Sequence, residues 1–289
     1  MHFLMMITGL GLAWMMRLGW ADAPENWAKR WQRSLIAFLF PPLLLVMTAI
    51  AILWMGPAGQ MVLRWEGWLS YGLAIAFLMI SSVLAFKLAW EGFCTLQTIR
   101  QNPVIDVHGN PARLLDLSTP YSARVGFWHP ELVVSQGLID TLDADHLEAV
   151  LVHEQAHATY HDTFWFFWLG WIRRATLWLP QTEALWQELL ILRELRADRI
   201  AAQQVDPLVL AESLLMVASA PLMQAEIQSD ICAAFSWAIS RDRLMERIDL
   251  LLAEPEPSPT ANWWSFSWLL LACLPLVTIP FHAGLMYVQ

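Results

Sequence analysis

His153 and His157 stand four residues apart, with Glu154 beside the first, in the run His153-Glu154-Gln155-Ala156-His157. On a helix, residues four apart share a face and lie about 6 Å apart along the axis, so both imidazoles reach one tetrahedral ion. Glu154 is turned off that pair by about 100°, which keeps it out of the ligand set and free to take a proton from water. A later run, Glu194-Leu195-Arg196-Ala197-Asp198, sets two carboxylates at the same spacing. Two histidines plus Glu194 leave the fourth position of a tetrahedral ion open, as a hydrolytic zinc requires and a structural zinc does not. The reading is one Zn2+ per chain on His153, His157 and Glu194, with Glu154 as the catalytic base.

Asp198, one turn beyond Glu194, is placed to accept the free ring N–H of a ligating histidine and so fix its tautomer. The rival readings are an exposed Glu194 paired to Arg193 or Arg196, and an Asp198 paired to Arg199 or another helix arginine. His161 continues the spacing, but a straight helix carries it about 12 Å from His153, too far to share one ion. Thr163 stands where the metzincin spacing would need a third histidine. His108, His129 and His146 read as polar surface or loop residues, while His2 and His282 lie in or beside apolar segments and indicate nothing definite.

These residues need helices behind them. Asp143 is an N-cap for a helix over 144–161 that carries the His153 motif. Thr182 caps a second, ending near Gln204, on which Glu194 and Asp198 project together. Asp206-Pro207 opens a third, and residues 241–252 form an amphipathic fourth. Before them, short apolar or alternating runs at 104–107, 112–117, 122–127 and 132–134 predict a small sheet. Residues 164–179, rich in Trp and Phe but interrupted by Arg173-Arg174, are too short for a span. They read either as an interfacial or re-entrant segment or as a buried hairpin.

The remainder is too apolar for an ordinary soluble enzyme: 57% hydrophobic residues, a mean hydropathy of +0.44 and 18 tryptophans in 289 residues. Stretches at about 1–20, 35–56, 68–89 and 263–288 are long enough to span a bilayer. Arg17 is expected to snorkel from the end of the first. A cleaved signal peptide ending at Ala21-Asp22-Ala23 fits less well, because the basic residues follow the apolar stretch instead of preceding it. Arg17, Lys29, Arg30 and Arg33 crowd the first connection whereas the second holds only Arg64, which places the first connection and the long 93–252 region in the cytoplasm. Three widely spaced cysteines agree with reduced thiols. A Pro-rich linker at 253–262 returns the chain to its last span. A net charge of −9 with no basic run argues against a nucleic-acid partner. The expected fold is therefore mainly α: three transmembrane helices within 1–92, a cytoplasmic α+β zincin-like domain and a fourth transmembrane helix.

Three runs of this sequence resemble the BlaR/MecR-type membrane metallopeptidases, which share a catalytic core with the HtpX and CAAX prenyl protease group. They are Phe127-Trp128-His129-Pro130-Glu131-Leu132-Val133-Val134-Ser135-Gln136-Gly137-Leu138, Leu147 through His157, and Arg193-Glu194-Leu195-Arg196-Ala197-Asp198. The likeness spans about 112–252. It implies a gluzincin-type core in which His153, His157 and Glu194 bind zinc and Glu154 is the base. Antirepressors of that family carry a penicillin-binding sensor after the last span; this sequence ends at Gln289, so β-lactam sensing is not implied.

The expected activity is a membrane-embedded zinc endopeptidase, of bacterial inner-membrane type, cutting a protein or peptide in the cytoplasm or near the bilayer. A transcriptional regulator is the substrate that analogy suggests. A quality-control protease is the enzymatic alternative, and an inactive zinc-bound signalling scaffold is the alternative of a different class. An edge strand near 122–127 is expected to pin extended substrate; Arg247 and Tyr160 are the candidates for oxyanion support, though a structural role suits both.

Overall fold

The structure, a computed structural model, describes residues 2–20, 26–57, 64–219, 241–253 and 267–284. Ala21-Asp22-Ala23, Cys232 and all but the first residue of the linker lie outside them. The chain forms two units that interleave in sequence: Met1–Phe86, Trp171–Leu189 and Glu256–Gln289 in one, Lys87–Gly170 and Leu190–Pro255 in the other.

The first unit is helical. It contains α1 (His2–Leu18), α2 (Trp27–Met55) and the first part of α3 (Arg64–Arg100). It also takes the end of α6 (Asp162–Ala175), the start of α7 (Thr182–Ala201), and α10 (Trp268–Ala272) with α11 (Leu274–Gly284). Among the described residues, two helices, over Trp27–Met55 and Trp65–Arg100, are long and apolar enough to cross a bilayer. α3 exposes large apolar side chains along its length, among them Leu73, Met79, Ile80, Val83 and Phe86, a larger apolar face than water-exposed surfaces usually carry. Four spans are not confirmed: α1 is shorter, and the last apolar stretch breaks at Cys273 into α10 and α11. Pro275, in the first turn of α11, cannot donate to a continuing ladder and suits a new start.

α2 begins at Trp27, well before the predicted span, because Asn26 caps it by accepting from the Lys29 N–H at 3.1 Å. The helix passes through Pro41-Pro42. Pro42 has no N–H to give to the carbonyl four residues back, at Phe38. Arg17 supplies the missing donor, at 3.1 Å, and also reaches Thr182 Oγ1 at 3.3 Å. Arg17 is therefore fully buried and does not snorkel as its position near a helix end predicts.

The second unit holds the sheet. Its strands are β1 (Val104–Val107), β2 (Asn110–Leu115), β3 (Ser122–Val125) and β4 (Glu131–Ser135), in the order β1-β2-β4-β3. β1 and β3 are the edges; β2 runs parallel to β4, and the other pairs are antiparallel. α4 (Gln136–Thr141) follows β4 directly, capped by Ser135. Gly137 permits this join, since a Cβ there would lie 2.1 Å from the Ser118 carbonyl oxygen. Leu132, Val134 and Leu138 pack with Leu147, Val150 and Leu151 of α5 (Ala144–Thr159), so the helix that carries the histidines is seated on the sheet. α8 (Pro207–Ser219) packs on α5, and α9 (Arg241–Leu252) packs on α8. Residues 164–179, whose placement was open, are helical up to Ala175 and divide between the two units instead of lying wholly within one.

Candidate metal centre

α5 starts at its cap Asp143, whose carboxylate accepts from the His146 N–H at 3.0 Å. Its apolar residues face the sheet, which carries His153 and Glu154 into the interior, 7% and 6% exposed. The helix stops at Tyr160, and His161 takes a left-handed φ of 52°. That turn lets Asp162 reach back to the motif: its Oδ2 lies 2.7 Å from His157 Nδ1. Arg196 of α7 holds the other Asp162 oxygen.

His153, His157 and Glu194 come together, each offering one donor atom within 4.8 Å of the others. His153 Nε2 and His157 Nε2 are 3.2 Å apart, and Glu194 Oε2 is 3.4 Å from the first and 3.7 Å from the second. Ligands about 2.0–2.1 Å from a tetrahedral zinc are separated from one another by about 3.3 Å, so this triangle has the size of one face of such a tetrahedron. The donor set fits zinc in chemistry as well as in size. Two ring nitrogens aimed at each other need either a shared proton or a cation between them.

The surrounding charges keep the donors oriented. Arg193 donates to Glu194 Oε1 through Nε at 2.9 Å and Nη2 at 2.6 Å, which leaves Oε2 to the histidines. The rival reading of Glu194 as the partner of Arg193 thus holds alongside the cluster, because the two use different oxygens. Asp198 Oδ1 lies 2.9 Å from His153 Nδ1, although the ring N–H is not aimed closely enough for a hydrogen bond. Asp198 is also ion-paired to a helix arginine, Arg247 of α9, bidentate at 2.7 Å on both oxygens. Glu154 Oε1 accepts from Ser122 Oγ at 2.9 Å.

Burial penalises charge on every one of these groups, yet the partners prevail. Burial pulls the His153 pKa down, but the Asp198 and Glu194 carboxylates overcome it and raise it to about 9. His157 is likewise raised, by Glu194 and Asp162 against burial. Burial would raise Glu194, but Arg193 and the histidines hold it well below the usual carboxylate range. Burial raises Asp198 too, and Arg247 more than offsets it. With no cation between them, the two histidines favour their protonated forms, and a metal would displace those protons.

Arg247 is 2% exposed and committed to Asp198, with Glu194 Oε2 at 3.5 Å. Tyr160 is 42% exposed, and the Arg196 guanidinium lies 4.3 Å from its ring centroid. His161 is exposed at the helix end. Asp162 and Ser122 were not singled out for the site. An acidic residue just past the end of a histidine-bearing helix is a readable signal, but helical periodicity misses it because the chain has already left the helix.

Residues 118–191 match the family model for Peptidase family M48. The match covers β3, β4, the His153 motif and α6, and it supports the M48 metallopeptidases broadly; Glu194 lies just beyond it. No curated protein and no solved structure matches the chain.

Proposed function

We propose that the protein is a membrane-embedded zinc endopeptidase in which His153, His157 and Glu194 hold the metal and Glu154 is the general base. The observation that carries this is the donor triangle of 3.2, 3.4 and 3.7 Å with a buried carboxylate adjoining it in sequence. Bound zinc supplies a Lewis acid that acidifies water and polarises a peptide carbonyl. Glu154 takes the proton from the attacking water and delivers it to the leaving amine. The Ser122 hydroxyl, donating to Oε1, holds that carboxylate and leaves Oε2 to carry the proton. Asp162, hydrogen-bonded to His157 Nδ1, orients that imidazole, and the Asp198 carboxylate lies beside the Nδ1 of the other.

β3 is a sheet edge, and its first residue is the one that touches Glu154. An extended substrate strand added there would run past the base, held by main-chain hydrogen bonds. The substrate is then a protein or peptide segment in extended form, in the cytoplasm or close to the bilayer. Basic residues in the 26–33 region favour a cytoplasmic second unit in a bacterial inner membrane, and the BlaR/MecR resemblance agrees with that plan. Glu154→Gln keeps the ligands and should retain zinc while cleavage of a trapped protein substrate is lost. Unchanged turnover would remove Glu154 as the base, and zinc without any turnover in the wild type would favour the scaffold reading.

A further inference from the structure

The second unit carries an exposed aromatic surface that the hydrolytic site does not use. Gly126, at φ 136°, turns the chain out of β3 in a conformation that side chains resist, and the next two residues are Phe127 and Trp128. The Phe127 ring meets Trp128, Phe164 and Phe167 at centroid distances of 5.1, 4.9 and 5.0 Å, and Trp128 meets Phe164 at 5.0 Å. Trp128 is 70% exposed and Trp165 is 59% exposed. Among the described residues, neither of these indole N–H groups has a protein partner.

We infer that this surface, with Trp128 and Trp165 foremost, sits in the headgroup layer of the bilayer. It rests on the reading of α2 and α3 as membrane spans. The reason is the course of α6. From Asp162, which holds His157, the helix carries Phe164, Trp165, Phe167 and Trp168 and then enters the first unit at Trp171, whose indole donates to the Ser81 carbonyl of α3 at 2.7 Å. One helix thus passes from a metal-supporting carboxylate, through exposed indoles, to an indole satisfied inside the unit that holds α2 and the first part of α3. α3 shows the same order. It leaves the first unit at Lys87 and then exposes Trp90 and Phe93. Aromatic rings with one polar edge favour the boundary between acyl chains and headgroups, where the ring is desolvated and the N–H meets lipid oxygens. Asp162 and Trp165 are one turn apart, about 4.5 Å along the helix. The surface would therefore hold the hydrolytic site beside the membrane and select segments that emerge from it.

The full chain, with Cys94, Cys232 and Cys273 replaced by Ser, is labelled with bimane at single cysteines and reconstituted in phosphatidylcholine–phosphatidylglycerol vesicles carrying a nitroxide on the headgroup or on the acyl chain. His129→Cys keeps both indoles, Trp165→Cys reports from α6, Asp140→Cys is the exposed control and Met79→Cys reports on α3. Headgroup nitroxide should quench the labels at 129 and 165 several-fold more than the label at 140, with Met79→Cys quenched by acyl-chain nitroxide. Labels at 129 and 165 quenched no more than at 140, with Met79→Cys still quenched, would overturn the inference and leave the spans intact. If Met79→Cys is also unquenched, the membrane reading fails and the inference fails with it. A label at 129 that responds to added substrate peptide and not to headgroup nitroxide would assign the surface to substrate instead.

Discussion

Each donor in the cluster has a charged group beside its second polar atom. His157 gives its Nδ1 to Asp162, His153 sets its Nδ1 against Asp198, and Glu194 gives one oxygen to Arg193. Groups just beyond the ligands typically govern metal affinity by about 10- to 100-fold. Asp162→Ala should therefore weaken zinc binding by roughly that factor, read by competition with a chromophoric chelator. Because Arg196 also loses an ion-pair partner, folding is followed in parallel by thermal unfolding at saturating zinc; an unchanged affinity would mean that His157 needs no orientation. The His153 motif was legible in the sequence because a four-residue spacing is a local property of a helix. Asp162 was not, because its approach depends on the left-handed turn at His161.

Two contacts between elements can be tested by titration or by double substitution. His146 joins α5 to α8: its Nδ1 lies 2.6 Å from Asp143 Oδ1 and its Nε2 3.3 Å from Glu212 Oε2. The Asp143 contact, aided by Glu212, raises its pKa against a smaller cost of burial. A raised folded-state pKa stabilises most below the unfolded value of about 6.5 and is lost as pH rises through the folded value. Thermal stability should accordingly drop slightly as pH rises above about 6.5, and His146→Gln should flatten that slope; equal slopes would show that the contact is inert. In the first unit, Arg17 replaces the donor that Pro42 lacks. Arg17→Met should cost about 1–3 kcal/mol, the price of a buried carbonyl left without a donor. Part of that loss should vanish in a Pro42→Ala background, where the helix N–H returns. Additive losses in detergent unfolding would separate the two residues. The four strands and helices α5, α7, α8 and α9 were legible to within a few residues, since caps and apolar alternation are local signals, whereas α4 and α6 were not. The burial of Arg17 was not, because it depends on a carbonyl in another helix.

At the scale of the whole chain, apolar composition pointed to membrane-length helices; two such helices stand among the described residues, and the count of four is not confirmed. Length and hydropathy do not register the break at Cys273, and they treat residues 164–179 as a short separate segment. In the structure those residues belong to α6 and the approach to α7, and both helices contribute to both units. Asp162 near the start of α6 and Glu194 and Asp198 in the second half of α7 are thus carried by helices whose other ends are fixed among apolar ones. Such interleaving escapes any reading of domains in chain order. The claim on which everything else depends is that the three donors hold one zinc. The most direct measurement is the zinc-to-protein ratio of the purified chain, by atomic spectroscopy, beside that of His153→Ala/His157→Ala. Close to one zinc per chain in the parent and none in the double variant is the expected result; stoichiometric zinc retained by the double variant would contradict it.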